Sequence, residues 1–280
     1  MPVLSPLWPA YLHHFRLDTP DPERLLSFYR EALGMVERTI GDGLWWLEGP
    51  ARRMMIGKGA AETVPMVAYA IEDPVRLSAF RVRLEQNGEE IEPCPTPMLN
   101  GGAFAVRNPD GIVMAFGTPE ADRSAGEGLP GRLQHIVFAT TDTGPQRRFY
   151  EDVLGFIESD RVLDEAGEIT AVFHRSDEEH HSYAAFRADA ARFDHFALET
   201  GEWNDVRDWA DRFAAMHVPL WWGPGRHGPG NNLFFMVRDP DGNRVEISAE
   251  LELMPADMAY RTWPHEERTL NLWGQGWMRS

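Results

Sequence analysis

Cysteine is nearly missing from this chain of 280 residues, with Cys94 its single instance. That excludes an internal disulfide, a thiolate zinc cage and a Cys-ligated iron–sulfur cluster. Basic residues are outnumbered, with 27 Lys and Arg against 44 Asp and Glu and a formal net charge of −17. So acidic a surface repels phosphate backbones, and no nucleic-acid partner is expected. No apolar run reaches the roughly 18 residues of a membrane span, so no membrane segment is expected. The opening MPVLSPLWPAYLHHF has neither a basic leader nor an unbroken apolar stretch. No secretory signal is therefore expected, and a cytoplasmic location follows. What is present is globular: 43% hydrophobic and 25% charged residues. At roughly 100–200 residues per domain the length suits two domains. Ten histidines and ten tryptophans are the residues that invite chemistry.

The chain reads as a duplication. SFYREALGMVE, from Ser27 to Glu37, matches RFYEDVLGFIE, from Arg148 to Glu158. LHHFRL from Leu12 matches LQHIVF from Leu133 at the same offset of 121, and NPDGIVMAFG from Asn108 matches DPDGNRVEIS from Asp239 at an offset of 131. Three landmarks in one order imply two related halves. Thr118 to Gly131, rich in Gly, Ser, Pro and acid, has linker composition. In the second half, strands are expected at Leu133–Thr140, Phe156–Leu163, Ile169–His174, Ser182–Phe186, Phe193–Glu199, Leu233–Val237 and Arg244–Ser248. Helices are expected at Pro145–Leu154 and Trp203–Met216, and Asp239-Pro240-Asp241-Gly242 signals a hairpin turn. The pattern is an α+β fold with two βαβββ units per half. From Leu251 onward, a Trp-rich tail with Trp263, Trp273 and Trp277 packs over the body, either covering a site or finishing a core.

His135, His195 and Glu246 each stand mid-strand, in LQHIVF, FDHFALE and NRVEIS. Side chains alternate across a strand, so Ile136, Phe196, Val245 and Ile247 point to the opposite, apolar face. If the strands share one curved sheet, two imidazoles and a carboxylate converge. That donor set suits a divalent transition metal with open positions, as in non-haem Fe(II) oxygenases. In the first half, His14 takes the place of His135. Matching AYAI to HFAL puts Ala68 opposite His195, and matching the hairpins puts Ala115 opposite Glu246. The first half is expected to hold no metal.

These residues and their spacing resemble the vicinal oxygen chelate superfamily and, within it, the type I extradiol ring-cleaving dioxygenases. The resemblance runs from about Leu12 to Gly274. It implies two tandem modules, each of two βαβββ units curved into a mixed sheet around a cavity. The expected division is 1–120 without a metal site, 121–131 as linker, 132–250 as the catalytic module and 251–280 as the tail. It also implies that His135, His195 and Glu246 bind Fe(II), with Mn(II) as the other option. HHSYAAF resembles the family segment whose histidine stands beside the metal, and it points to His180, with His181 as the alternative. GPGRHGPGNN resembles the family's GRHG loop and points to His227. By resemblance, His180 acts on the oxygen side as a base, and His227 binds the diol and returns a proton. The partners implied are a small aromatic diol and O₂, and a homo-oligomer is expected. One position departs: where the family carries a tyrosine ten residues before the glutamate, this chain has Met236, which cannot donate a hydrogen bond. Two other classes are alternatives. A glyoxalase-like isomerase or transferase would draw ligands from both halves, and a resistance-type binding protein would need no metal triad. Trp221 and Trp222 could wall a substrate ring or serve the core.

Overall fold

The structure, a computed structural model, describes residues 4–120 and 128–279. In chain order the first half runs β1 (Tyr11–Thr19), α1 (Pro22–Leu33), β2 (Val36–Gly41), β3 (Leu44–Gly49), β4 (Arg52–Lys58), β5 (Thr63–Ala70), α2 (Pro74–Gln86), β6 (Glu92–Pro93), β7 (Leu99–Arg107) and β8 (Val113–Pro119). The second runs β9 (Arg132–Thr140), α3 (Thr143–Arg148), which continues as a π-helical turn over Phe149–Leu154, then β10 (Ile157–Leu163), β11 (Ile169–Arg175), β12 (Tyr183–Arg187), β13 (Arg192–Thr200), α4 (Trp203–Ala215), β14 (Trp222–Arg226), β15 (Leu233–Arg238) and β16 (Arg244–Ala249). These are four βαβββ units. The tail adds β17 (Arg261–Pro264) and α5 (Glu267–Leu270).

Local chemistry sets these boundaries. Asp21 caps α1 by accepting from the Arg24 amide, Pro22 opens the helix, and Gly34 closes it at φ 62°. Glu202 and Asp205 form a reciprocal capping box on α4. At the Asp239 turn, the carboxylate accepts from the amides of Asp241 and Asn243, and Gly242 supplies φ 95°.

Among the described residues, the strands form an eight-stranded and a nine-stranded mixed sheet. Their orders are β2-β3-β4-β1-β5-β8-β7-β6 and β14-β15-β16-β13-β9-β12-β11-β10-β17. One face of each sheet, with the helices, contributes to a single apolar core shared by both halves, in which the rings of Phe15 and Phe196 lie 4.9 Å apart. Each such fully buried side chain contributes roughly 1.5–3 kcal/mol. The Tyr29 hydroxyl donates to Asp239 across the halves at 2.8 Å. The opposite faces carry separate clusters, one around Trp46, Met55 and Met66 and the other around Val137, Phe173 and Phe186.

The expected strands recur within about a residue at most ends. β14 was not anticipated, because WWGPGR mixes aromatics with turn residues. The connector starts later than composition suggested: β8 runs through Thr118 to Pro119. Residues 121–127 of that connector lie outside the described residues. Its far end is pinned by Arg52, which donates to the carbonyls of Leu129 and Gly131 at 3.0 Å each. No helix among the described residues is long and apolar enough to cross a membrane.

Candidate metal centre

The register of three adjacent strands builds the site. In the order β16-β13-β9, Ala197 of β13 stands opposite both His135 of β9 and Glu246 of β16. His195, two residues before Ala197, shares its face. One metal-binding atom from each of His135, His195 and Glu246 lies within 4.8 Å of the others, all three residues being buried. Ile136, Phe196, Val245 and Ile247 lie in the shared core on the opposite face, as alternation requires.

Alternation fails on the other side of each histidine, and the failure is useful. β9 and β13 each carry an extra residue, Gln134 and Asp194 respectively, at a break in register. Such bulges re-aim side chains beside active sites. Here the extra residue folds back onto its neighbour's ring. Gln134 Oε1 lies 2.5 Å from His135 Nδ1, and Asp194 Oδ1 lies 2.6 Å from His195 Nδ1. Each oxygen accepts a hydrogen bond from Nδ1–H, which fixes the tautomer and turns Nε2 toward Glu246. His195 Nε2 is 3.2 Å and His135 Nε2 4.0 Å from Glu246 Oε2, an oxygen with no hydrogen-bond partner among the described residues. Buried donor atoms that converge this closely need a proton or a metal cation between them. The residues therefore fit a divalent metal.

The two imidazoles differ in their preference for charge. Burial pushes the His135 pKa down to about 3, so it is neutral and ready to ligate. Burial also opposes protonation of His195, but the carboxylates of Asp194 and Glu246 outweigh it and hold its pKa above the ordinary value. Burial alone would raise the Glu246 carboxyl. The surrounding rings of His195, His227 and His135 hold it well below the carboxylate range.

A narrow cavity opens on these atoms, lined also by Val137, Phe173, His181, Phe186, His227, Met236, Thr269, Leu270 and Arg279. It separates the two histidines of the HHSYAAF segment. His181 lines the cavity, with its ring centroid 4.3 Å from that of His135, while His180 does not. His180 instead turns to Asp160, with Nε2 2.9 Å from Oδ2, and its Nδ1 lies 3.0 Å from His181 Nδ1. Arg261 and Trp263 of the tail strand hold the same carboxylate. Burial first, then His135, keeps His181 well below the ordinary histidine pKa.

His227 lines the other wall. Its Nδ1 donates to the Leu270 carbonyl at 2.6 Å, its ring stacks on Phe234 at 3.8 Å, and its Nε2 is 3.8 Å from Glu246 Oε1. Trp222 packs behind it against Phe234, and Trp221 packs on Trp277. Neither lines the cavity. The tail does cover it, through Thr269, Leu270 and Arg279. Gly228 permits that approach, since a Cβ there would meet the Thr269 carbonyl at 2.8 Å and Trp263 at 2.9 Å. The sequence reading missed Gln134, Asp194 and Arg279. The available signal was a hydrogen-bonding residue directly before each candidate ligand, in Gln134-His135 and Asp194-His195.

The Glyoxalase/Bleomycin resistance protein/Dioxygenase superfamily matches residues 11–116 and 132–247. The chain belongs to that superfamily. It is 33% identical to "Metapyrocatechase 2" of Cupriavidus necator over 151 residues, a match spanning 52% of this chain but only 45% of that relative. It is 27% identical to the "Biphenyl-2,3-diol 1,2-dioxygenase" of Paraburkholderia xenovorans over 242 residues, covering 79% of this chain and 80% of the relative. Homoprotocatechuate 2,3-dioxygenase from Arthrobacter globiformis superposes with a TM-score of 0.82 at 23% identity, covering 98% of this chain and 90% of that one. The superposition bears on the fold: two tandem superfamily modules of α+β architecture.

Proposed function

We propose that this protein is a metal-dependent extradiol dioxygenase that opens the ring of a catechol-type diol with O₂ beside the two hydroxyls. The carrying observation is the convergence of two bulge-oriented imidazoles with a buried, partnerless carboxylate oxygen on one wall of a cavity. The names of the sequence relatives support the same reading. His135 and His195 would hold the ion through Nε2, and Glu246 would hold it through Oε2. When bound, divalent iron or manganese supplies a Lewis-acid and redox centre at which a diol and O₂ can sit side by side.

The chain's own groups supply the proton handling. His227 donates a hydrogen bond from Nδ1–H to the Leu270 carbonyl, so its Nε2 accepts from a diol hydroxyl and can return the diol's proton later. Across the cavity, Asp160 accepts a hydrogen bond from His180 Nε2–H, and His180 Nδ1 then accepts from His181. His181 Nε2 is left as a base facing the cavity, with His180 as its positioning residue. Met236 adds an apolar contact and no proton donor. The tail excludes water above the ring.

The test is reconstitution with Fe(II) without air, followed by catechol and O₂. About one iron per chain, O₂ uptake and a yellow ring-opened product are expected. Full metal loading with no O₂ uptake across mono- and bicyclic catechols would refute the reading. A parallel sample loaded with Mn(II) identifies the working metal.

A further inference from the structure

Arg279 is the one Arg or Lys among the described residues lining the cavity, so it is where a charged substrate group would look for a partner. It is already committed. Its Nε lies 3.2 Å from Asp194 Oδ2, its Nη2 lies 3.0 Å from Asp194 Oδ1, and its Nη1 faces the Trp277 carbonyl at 3.4 Å. Its guanidinium plane rests 3.9 Å from the Phe186 ring centre and 4.0 Å from that of Trp277. Both partners of the ion pair are buried, with side chains 4% and 0% exposed. Asp194 cannot release it cheaply, because the same carboxylate orients His195.

The charge balance points the same way. A dication with Glu246, Asp194 and Arg279 carries one net positive charge, which a singly deprotonated diol neutralises. A carboxylate on the ring would bury an extra negative charge with no partner. The remaining walls, Val137, Phe173, Phe186, Met236 and Leu270, are apolar.

We propose that this site selects uncharged aromatic diols bearing an apolar substituent and rejects diols bearing a carboxylate, because the Arg279–Asp194 pair leaves the cavity wall, among the described residues, no free cation to meet one. The proposal rests on the dioxygenase reading and names its substrate class.

Two ligands of similar size decide it: 4-propylcatechol and 3,4-dihydroxyphenylacetate. Each is titrated without air into Fe(II)-loaded protein by calorimetry. Propylcatechol is expected to bind at least about tenfold more tightly, an unpaired buried charge costing more than 1.4 kcal/mol. Equal or tighter binding of dihydroxyphenylacetate would overturn the proposal. In Arg279→Met each affinity is expected to stay within about threefold of the parent's, because Asp194 already neutralises Arg279. A loss of about tenfold or more confined to dihydroxyphenylacetate would mean that Arg279 meets the substituent, and the proposal would fall. Admitting air to the same samples separates the two claims. If neither diol is cleaved, the dioxygenase reading fails, while the measured affinities still rank the ligands.

Discussion

The two halves share one topology and differ in what fills the inner face of the sheet. Register makes the comparison residue by residue. His14 corresponds to His135, and Ala115 to Glu246. His14 pairs with Ala68 as His135 pairs with Ala197, so the residue in the place of His195 is Met66, not the Ala68 that matching AYAI to HFAL suggested. Met66 offers at best a weak thioether donor and Ala115 offers none, so the first half still lacks the ligand set. The bulge also changes: Pro65 stands where Asp194 holds an imidazole. Nearby, Trp46 and Met55 occupy the places of Phe173 and Ala184. Their bulk fills the first half's inner face, where His14 Nε2 bonds to Thr96 at 2.9 Å and its ring packs against Trp46. A duplicated scaffold thus becomes a metal centre or a packed core through a handful of side chains on the same strands.

The largest effect should come from erasing the distinction at the ligands. His195→Ala, giving the second half a methyl group there, is expected to abolish metal retention and cut turnover by at least about 10³-fold, read by metal analysis and O₂ uptake. Next is Ala184→Met, which copies Met55 into the second half. It should narrow the cavity without touching a ligand. We expect metal content to hold and kcat/KM to fall by about 100-fold, at an overpacking cost of roughly 1–3 kcal/mol. Unchanged kcat/KM would show that bulk at this position is not what separates the halves. Asp194→Asn tests the bulge residue. Weaker orientation of His195 and loss of the Arg279 pair should lower metal affinity by about 10–100-fold in a chelator competition.

The smallest effect on activity is expected at Glu199, which stands where the first half has Ala70. Burial first, with Glu179 adding, raises its pKa to about 7, against the opposing pull of the Leu251 amide, Ser248 and Arg132. A carboxyl whose pKa rises on folding contributes stability below its unfolded pKa and loses it as pH climbs through the folded one. Between about pH 4.5 and 7, Glu199→Gln should therefore gain stability over the parent, by on the order of 2 kcal/mol. Denaturant titrations at the two ends of that range check the sign.

The legible part of this protein was local. The repeats, the strand and helix pattern, and the mid-strand placement of His135, His195 and Glu246 all follow from neighbours along the chain, because alternation and capping operate over a few residues. The GRHG loop and Met236 were legible for the same reason. The choice between His180 and His181 was not, since one residue of strand entry decides which ring enters the cavity. Gln134 and Asp194 face their histidines only because bulges suspend alternation, and a bulge exists only relative to a partner strand. Arg279 meets Asp194 across 85 residues of chain. By itself, the sequence determined which donor groups exist and on which kind of element they sit. Tertiary structure decided which of them meet, because register, bulge position and tail docking are set by pairing between segments far apart in the chain.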